Sequence, residues 1–433
     1  MATLFPLLPL FKLIAVFGLV IILLRVSSQV GFALGIGAAA LGLFFSMSPT
    51  EIANAFGLAL LDARSLIVAL IVTLILILSA SMEQLGQTEE LLQRFKVWVG
   101  GKRWGLVAFP ALIGLLPVPG GAIFSAPMLD SFDQGNHILP SLKSFLNYWY
   151  RHIWESWWPL YPGILLACAI ANLDLWHYIL LAFPMTLIAI AGGLPQLMQV
   201  PRLIQRHPAE KDGTKRPIPW RNLCPLLLAI LPGVAFGIFL RFTETGGVWV
   251  SLPKEAGLVI GLIAAVGWAW WDKRVQLDQA RRILLDRKLL RMWGTLAGVF
   301  VFKTVMQESD AAGHISEALT TLEIPLEVMI VLLPMILGAI SGLPLAFVGA
   351  AFPIVVPLIH TMGAADIKIP LIILAYVSGF TGVVLSPLHL CLILSNEYFR
   401  ASWSSVYRRL WLPALTILGG AIGYFWVLKL LGQ

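Results

Sequence analysis

The sequence predicts an all-α polytopic membrane protein built as two inverted repeats, each of five spans plus one re-entrant hairpin. Three observations lead there. Of 433 residues, 58% are hydrophobic and only 12% charged, with a mean hydropathy of +0.85, whereas about a quarter of a soluble domain is charged. Apolar runs of bilayer-crossing length, roughly 20 residues, recur along the chain. Residues 51–128 and 275–352 are two versions of one segment. Leu60-Leu61-Asp62-Ala63-Arg64 returns as Leu284-Leu285-Asp286-Arg287-Lys288, Ser81-Met82-Glu83 as Val305-Met306-Gln307, and Gly114 as Gly338, all 224 positions apart, which points to a duplicated unit.

Spans are expected at 8–25, 30–47, 64–83, 140–172, 174–196, 222–242, 255–271, 291–307, 367–396 and 408–430. The first apolar run, Leu7 to Leu24, has no basic stretch before it and no small-residue cleavage site, so it is a retained span rather than a signal peptide. Two further apolar stretches, 104–134 and 325–359, are broken by Pro117-Val118-Pro119-Gly120-Gly121 and by Ser341-Gly342-Leu343-Pro344. Proline removes a backbone donor and glycine tolerates the turn, and each limb is too short to cross, so both stretches are expected to be re-entrant hairpins. The amphipathic segments Glu51 to Arg64 and Gln276 to Arg291 are expected to lie as helices in the headgroup plane. Cys168, Cys224 and Cys391 sit in or beside apolar runs without CxxC spacing, which fits buried structural thiols and gives no sign of a disulfide framework or a zinc site.

Charge sets the orientation. The 197–221 loop carries Arg202, Arg206, Lys211, Lys215, Arg216 and Arg221 against Glu210 and Asp212, so it is expected in the cytoplasm as the linker between halves. Counting spans outward puts Arg94, Lys96, Lys102 and Arg103, the basic helix Lys273 to Arg291, and Arg400, Arg408 and Arg409 on the same side. Thr243 to Gly247 and Glu308 to Glu317 fall outside. An odd number of spans inserts the two halves in opposite senses. The first repeat, 1–196, would open its hairpin to the cytoplasm and the second, 222–433, to the exterior. Orientation accounts for the basic loop, so the expected partner is the lipid bilayer and no nucleic acid; a nucleic-acid or acidic-lipid patch is the alternative reading of that loop.

Inverted repeats with discontinuous membrane helices are the physical signature of secondary transporters. A broken helix presents unpaired amides and a positive dipole end to an anion, and its carbonyl ends to a cation. Each hairpin is followed by another interruption, at 147–162 and at 378–389, where Pro159-Leu160-Tyr161 matches Pro387-Leu388-His389 at an offset of 228. The expected site therefore has two hairpin tips and two unwound helices. Its substrate-binding candidates are Gly120, Gly121, Ser125, Arg151, His152, Ser341, Gly342, Thr381, Ser386 and His389, and its coupling-ion candidates are Asn147 and Glu155. Glycines let backbone approach a ligand, and a guanidinium suits a carboxylate. Structural alternatives stand beside each. Glu155 can pair with Arg151 four residues earlier on one helix face, His152 can be a satisfied core histidine, the hydroxyls can simply satisfy backbone, and Lys303 can snorkel. Trp154, Trp157 and Trp158 are candidates to wall a pocket. Neither a cofactor nor a bound metal is expected; Na⁺ or H⁺ would be the coupling ion.

Ser81-Met82-Glu83-Gln84-Leu85-Gly86 and Phe302-Lys303-Thr304-Val305-Met306-Gln307-Glu308-Ser309-Asp310-Ala311 resemble the paired segments before each hairpin in gluconate permeases. Nearly the whole chain resembles the ion transporter superfamily, which includes the gluconate permease, dicarboxylate carrier and arsenite permease families. Pro117-Val118-Pro119-Gly120-Gly121-Ala122 with Ser125-Ala126-Pro127, and Arg151-His152-Ile153-Trp154-Glu155, resemble more narrowly an uncharacterised integral membrane family of that superfamily. The resemblance implies a scaffold holding a homodimer interface, a moving transport domain with both hairpins, and a bacterial or archaeal cytoplasmic membrane. The Ser-Asn-Thr tip motifs of the dicarboxylate carriers are absent here, so their carboxylate and sodium chemistry does not transfer residue by residue. The expected function is secondary active transport of a small organic anion, a carboxylate or sugar acid, coupled to Na⁺ or H⁺ by an elevator mechanism. The competing expectations are an anion channel and an intramembrane hydrolase or transferase using His152 and Ser156. An enzyme would need a nucleophile and base in one cavity or a metal-binding pair, and the sequence has no HExxH, no GxSxG and no buried His/Asp cluster.

Overall fold

A computed structural model describes residues 7–27, 29–99, 104–116, 120–133, 137–200, 220–242 and 255–432. Among them every regular element is helical. The chain begins with α1 (Leu8–Ser27), α2 (Val30–Phe44), α3 (Pro49–Leu61), α4 (Ala63–Gln84) and α5 (Gln87–Val99). The first hairpin is α6 (Gly105–Gly114) and α7 (Ala122–Asp130), followed by α8 (Pro140–Arg151), α9 (Pro162–Ala171), α10 (Leu175–Ala182) and α11 (Pro184–Met198). The second half comprises α12 (Trp220–Phe242), α13 (Ala256–Asp272), α14 (Leu277–Leu284), α15 (Arg287–Glu308) and α16 (Ala311–Thr321). It continues with α17 (Leu326–Ser341), α18 (Pro344–Thr361), α19 (Lys368–Leu385), α20 (Leu390–Phe399) and α21 (Trp403–Leu430). The central part of the basic 197–221 loop, the Thr243 to Gly247 stretch, Lys102 and Arg103, and Pro117 to Pro119 lie outside the described residues.

Eight of the described segments are long and apolar enough to cross a membrane, or nine if one bent pair counts as a single span, so this is a multi-pass membrane protein. Seven of the eight fall on spans expected from sequence. The others expected are shorter or interrupted: α2 has 15 residues and α13 has 17, and 140–172 is divided into α8 and α9. The hairpins differ from each other. The limbs α6 and α7 have 10 and 9 residues, short as expected. The second pair departs from expectation, because α17 has 16 residues and α18 has 18, and α18 alone is long enough to cross. Pro334, Pro353 and Pro357 lie inside these helices without ending them, since each proline forfeits one backbone bond that enclosing neighbours offset. A further bend of 120° separates α16 from α17.

The repeated sequence folds into matching elements. α4 and α15 are both 22 residues long and begin at 63 and 287. α9 and α20 are both 10 residues long and begin at 162 and 390. The Leu-Leu-Asp motif is a helix start: Asp62 accepts from Ser65 N and Asp286 from Lys288 N, covering amides that a helix N-terminus leaves unpaired. The short helices before them, α3 and α14, carry capping boxes at Ser48/Glu51 and Gln276/Gln279. Bonding from Ser48 holds the Glu51 carboxyl below its ordinary range. Packing between halves is reciprocal. α2 lies on α15 while α4 lies on α13, and α9 lies on α18 while α7 lies on α20. Trp270 Nε1 on α13 donates to Ser81 Oγ on α4 at 2.8 Å.

α18 and α19 form the centre, where Phe347, Phe352 and Tyr376 are fully buried against one another. α1 and α21 turn apolar side chains such as Phe11, Ile14, Ile22, Leu412 and Leu415 outward, as lipid contact requires. One buried ion pair fixes the end of the first hairpin. Lys143 Nζ on α8 lies 2.8 Å from Asp130 and 2.9 Å from Asp133, and Asp133 also accepts from His137 N and Ile138 N. Lys143→Met strands the Asp133 carboxylate and should cost about 3 kcal/mol, the low end for a broken buried pair, because two amides still serve it. The double variant Lys143→Met/Asp133→Asn should regain part of that stability. A single variant that melts like the parent protein in detergent would show the pair to be dispensable.

Candidate functional site

Both central helices are interrupted, and each interruption contains a proline. α8 stops at Arg151, residues 152–158 run as tight turns, and the chain re-enters helix at Pro162, with Pro159 between. α19 stops at Leu385 and α20 starts at Leu390, with Pro387 between. A proline donates no backbone bond and disfavours helix in the residue before it, so Pro387 accounts for the end of α19 and Pro159 keeps helix from resuming at Trp158.

Each break is bonded to the hairpin of its own half. Tyr161 Oη donates to Gly114 O at 2.5 Å, and Trp154 and Trp158 donate through Nε1 to Ala111 O and Leu115 O at 2.8 and 2.9 Å. These are carbonyls at the C-terminal end of α6, which no intrahelical donor reaches. The two tryptophans therefore cap the hairpin rather than only walling a pocket. In the second half His389 Nδ1 donates to Gly342 O at 2.8 Å. Gly342, at φ +65°, occupies the left-handed turn that closes α17. At the first tip Gly120 has φ +71°, and a Cβ on Gly121 would overlap the Arg151 guanidinium. Arg151 Nη1 also donates to Ile113 O at 3.3 Å.

The two breaks meet. His152 Nε2 lies 3.1 Å from His389 Nε2, while His152 Nδ1 donates to Tyr148 O at 2.7 Å. Cys391 Sγ joins this pair, with one ligand atom from each of the three residues all within 4.8 Å of one another. Glu155, 4% exposed, lies against the Tyr161 hydroxyl. Asn147 sits in a separate buried cluster. Its Oδ1 accepts from Ser125 Oγ at 2.6 Å, and its Nδ2 donates to Ala122 O and Ser395 Oγ, both at 3.0 Å. That cluster joins α7, α8 and α20.

Among the residues expected at the site, Gly121, Arg151, His152, Gly342 and His389 converge as above, and Glu155 adjoins them. Thr381, Ser386 and Ser341 serve the backbone: Thr381 Oγ1 donates to Val377 O, Ser386 Oγ accepts from Leu388 N, and Ser341 Oγ contacts Leu343 at 3.4 Å. Two helix-face expectations are corrected. Because α8 ends at Arg151, Glu155 does not sit one turn along a continuous helix from it. Nor does Ser156 share a helix face with His152, whose ring nitrogens face Tyr148 O and His389. His152, His389 and Cys391 form a buried group that no sequence pattern marked. Sequence reasoning missed Cys391 and Tyr161. The available signal was their position: Tyr161 and His389 are repeat counterparts, and Cys391 follows His389 by two residues at the same break.

No curated protein matches the chain. The family model described as DUF401, protein of unknown function, matches residues 6–427, and the chain belongs to that family.

Proposed function

We propose that this DUF401 family member is a secondary carrier for a small organic anion, a carboxylate or sugar acid, with its site between two oppositely inserted halves. The observation that carries this is the convergence of two hairpins and two helix breaks around Arg151, His152, Glu155 and His389. Unwound backbone and ionisable side chains are costly in a bilayer unless they line a polar path. The Arg151 guanidinium supplies the fork that suits a carboxylate, and Glu155 is the group on which a Na⁺ or H⁺ gradient would act. The reciprocal packing of matched helices supports inversion, as do the odd span count and the resemblance to the ion transporter superfamily. By the same resemblance the hairpins would travel as one body against a dimeric scaffold.

Purified protein tested by thermal shift against organic acids, in Na⁺ and in choline buffers, should melt higher with its substrate, since ligand bound to the native state stabilises by about 2.7 kcal/mol at 100 times Kd. The same anion should exchange in counterflow with reconstituted vesicles. If no acid in the panel shifts melting and none exchanges, the carrier assignment fails. Flux that grows without saturation would indicate a channel.

A further inference from the structure

We propose that His152, His389 and Cys391 bind a borderline-to-soft transition-metal ion, Zn²⁺ being the type, at the point where the two helix breaks meet. The inference concerns ion binding and holds whether or not the protein is a carrier.

The geometry begins with the rings. A carbonyl oxygen can only accept, so the contacts to Tyr148 O and Gly342 O fix a proton on Nδ1 of both histidines. In neutral imidazole the lone pair is then on Nε2. The two Nε2 atoms face each other at 3.1 Å, so two acceptors point into one space with Cys391 Sγ beside them. The thiol has one proton and can satisfy one ring at most. The other lone pair needs a cation. His152, His389 and Cys391 are 8%, 7% and 6% exposed, which leaves little water to fill that role.

A metal ion satisfies all three atoms at once. Metal-bound histidines usually donate the opposite ring N–H to a carbonyl or carboxylate, which fixes tautomer and orientation, and both rings already do so. Two imidazoles and a thiolate select Zn²⁺, Co²⁺ or Cu⁺ over Na⁺, Mg²⁺ and Ca²⁺, which prefer oxygen. Zinc-type ions take four ligands, so three from protein leave one position open to water or an anion. Such an ion would link the end of α8 to the start of α20, and so one half of the chain to the other.

The test uses full-length, tag-free protein stripped with a chelator, then given Zn²⁺ or Co²⁺ alone. One ion per chain should be retained on dialysis, and Co²⁺ should give a thiolate-to-metal charge-transfer absorption. Cys391→Ser should abolish that absorption, whereas Cys168→Ser, in α9, should keep it. His389→Ala should weaken Co²⁺ binding by more than the roughly 10–100-fold that loss of an outer-shell partner costs. Melting of each metal-free variant separates lost binding from lost folding. Failure to retain an ion, as expected if a shared proton bridges the rings, would overturn the proposal. So would an absorption that survives Cys391→Ser, or unchanged affinity in folded His389→Ala. None of these readouts involves uptake, so this site and the carrier assignment can fail separately.

Discussion

Gly338→Ala is expected to prevent stable folding or to lower the melting temperature sharply. A Cβ at Gly338 on α17 would overlap the Gly379 carbonyl on α19, and one at Gly382 would overlap the Met335 carbonyl from the other side. The obstacle is backbone, which cannot swing aside as a side chain end does. Overpacking costs about 1–3 kcal/mol and occasionally more, and this contact belongs at the upper end. The sign is the test, because in an unobstructed helix alanine is better than glycine by about 0.8–1.0 kcal/mol. Gly419 and Gly423 on α21 have nothing within 4 Å of an added Cβ, so their alanine variants should melt at or above the parent temperature. Equal melting of Gly338→Ala and Gly419→Ala would mean that α17 and α19 do not cross this closely.

Glu155→Gln should leave the fold intact and abolish or uncouple uptake. Glutamine keeps the shape and the place beside the Tyr161 hydroxyl, so only the charge is removed. A charge at mid-membrane costs about 2.5–3.5 kcal/mol on insertion scales, and losing it should not lower the melting temperature. Uptake into vesicles under an imposed Na⁺ or H⁺ gradient, measured beside gradient-free exchange, separates the outcomes. Gradient-driven accumulation should fall to background whether or not exchange survives. Unchanged accumulation and ion dependence would leave Glu155 as a structural counter-charge near Arg151.

The helical layout was legible because apolar run length and proline position are local properties. The breaks at 152–161 and 386–389 lie within the interruptions expected at 147–162 and 378–389, whereas the starts at Asp62 and Asp286 divide segments expected as single amphipathic helices, Glu51 to Arg64 and Gln276 to Arg291. The limbs of the second hairpin are longer than expected because limb length depends on tertiary enclosure, which carries α18 through Pro353 and Pro357. At the site, arginine and glutamate stood out because charge is rare in apolar runs. Cys391 did not, since a cysteine in such a run is ordinarily inert, and only the approach of His152, 237 positions before His389, makes it a potential ligand. The hydroxyls of Thr381 and Ser386 could not be assigned from sequence, because bonding to a backbone partner depends on rotamer.

The bonds from Tyr161 and His389 do the same mechanical job in the two halves, each tying a helix start to its own hairpin. A phenol has a single heteroatom, and that bond occupies it. An imidazole has two on opposite edges of the ring, so His389 can hold its hairpin with one and reach across the molecular midline with the other. The two ties sit at matching positions, and the aromatic side chain at each, a phenol in one and an imidazole in the other, makes their chemistry unequal. A symmetric framework therefore has a site that distinguishes its own two halves.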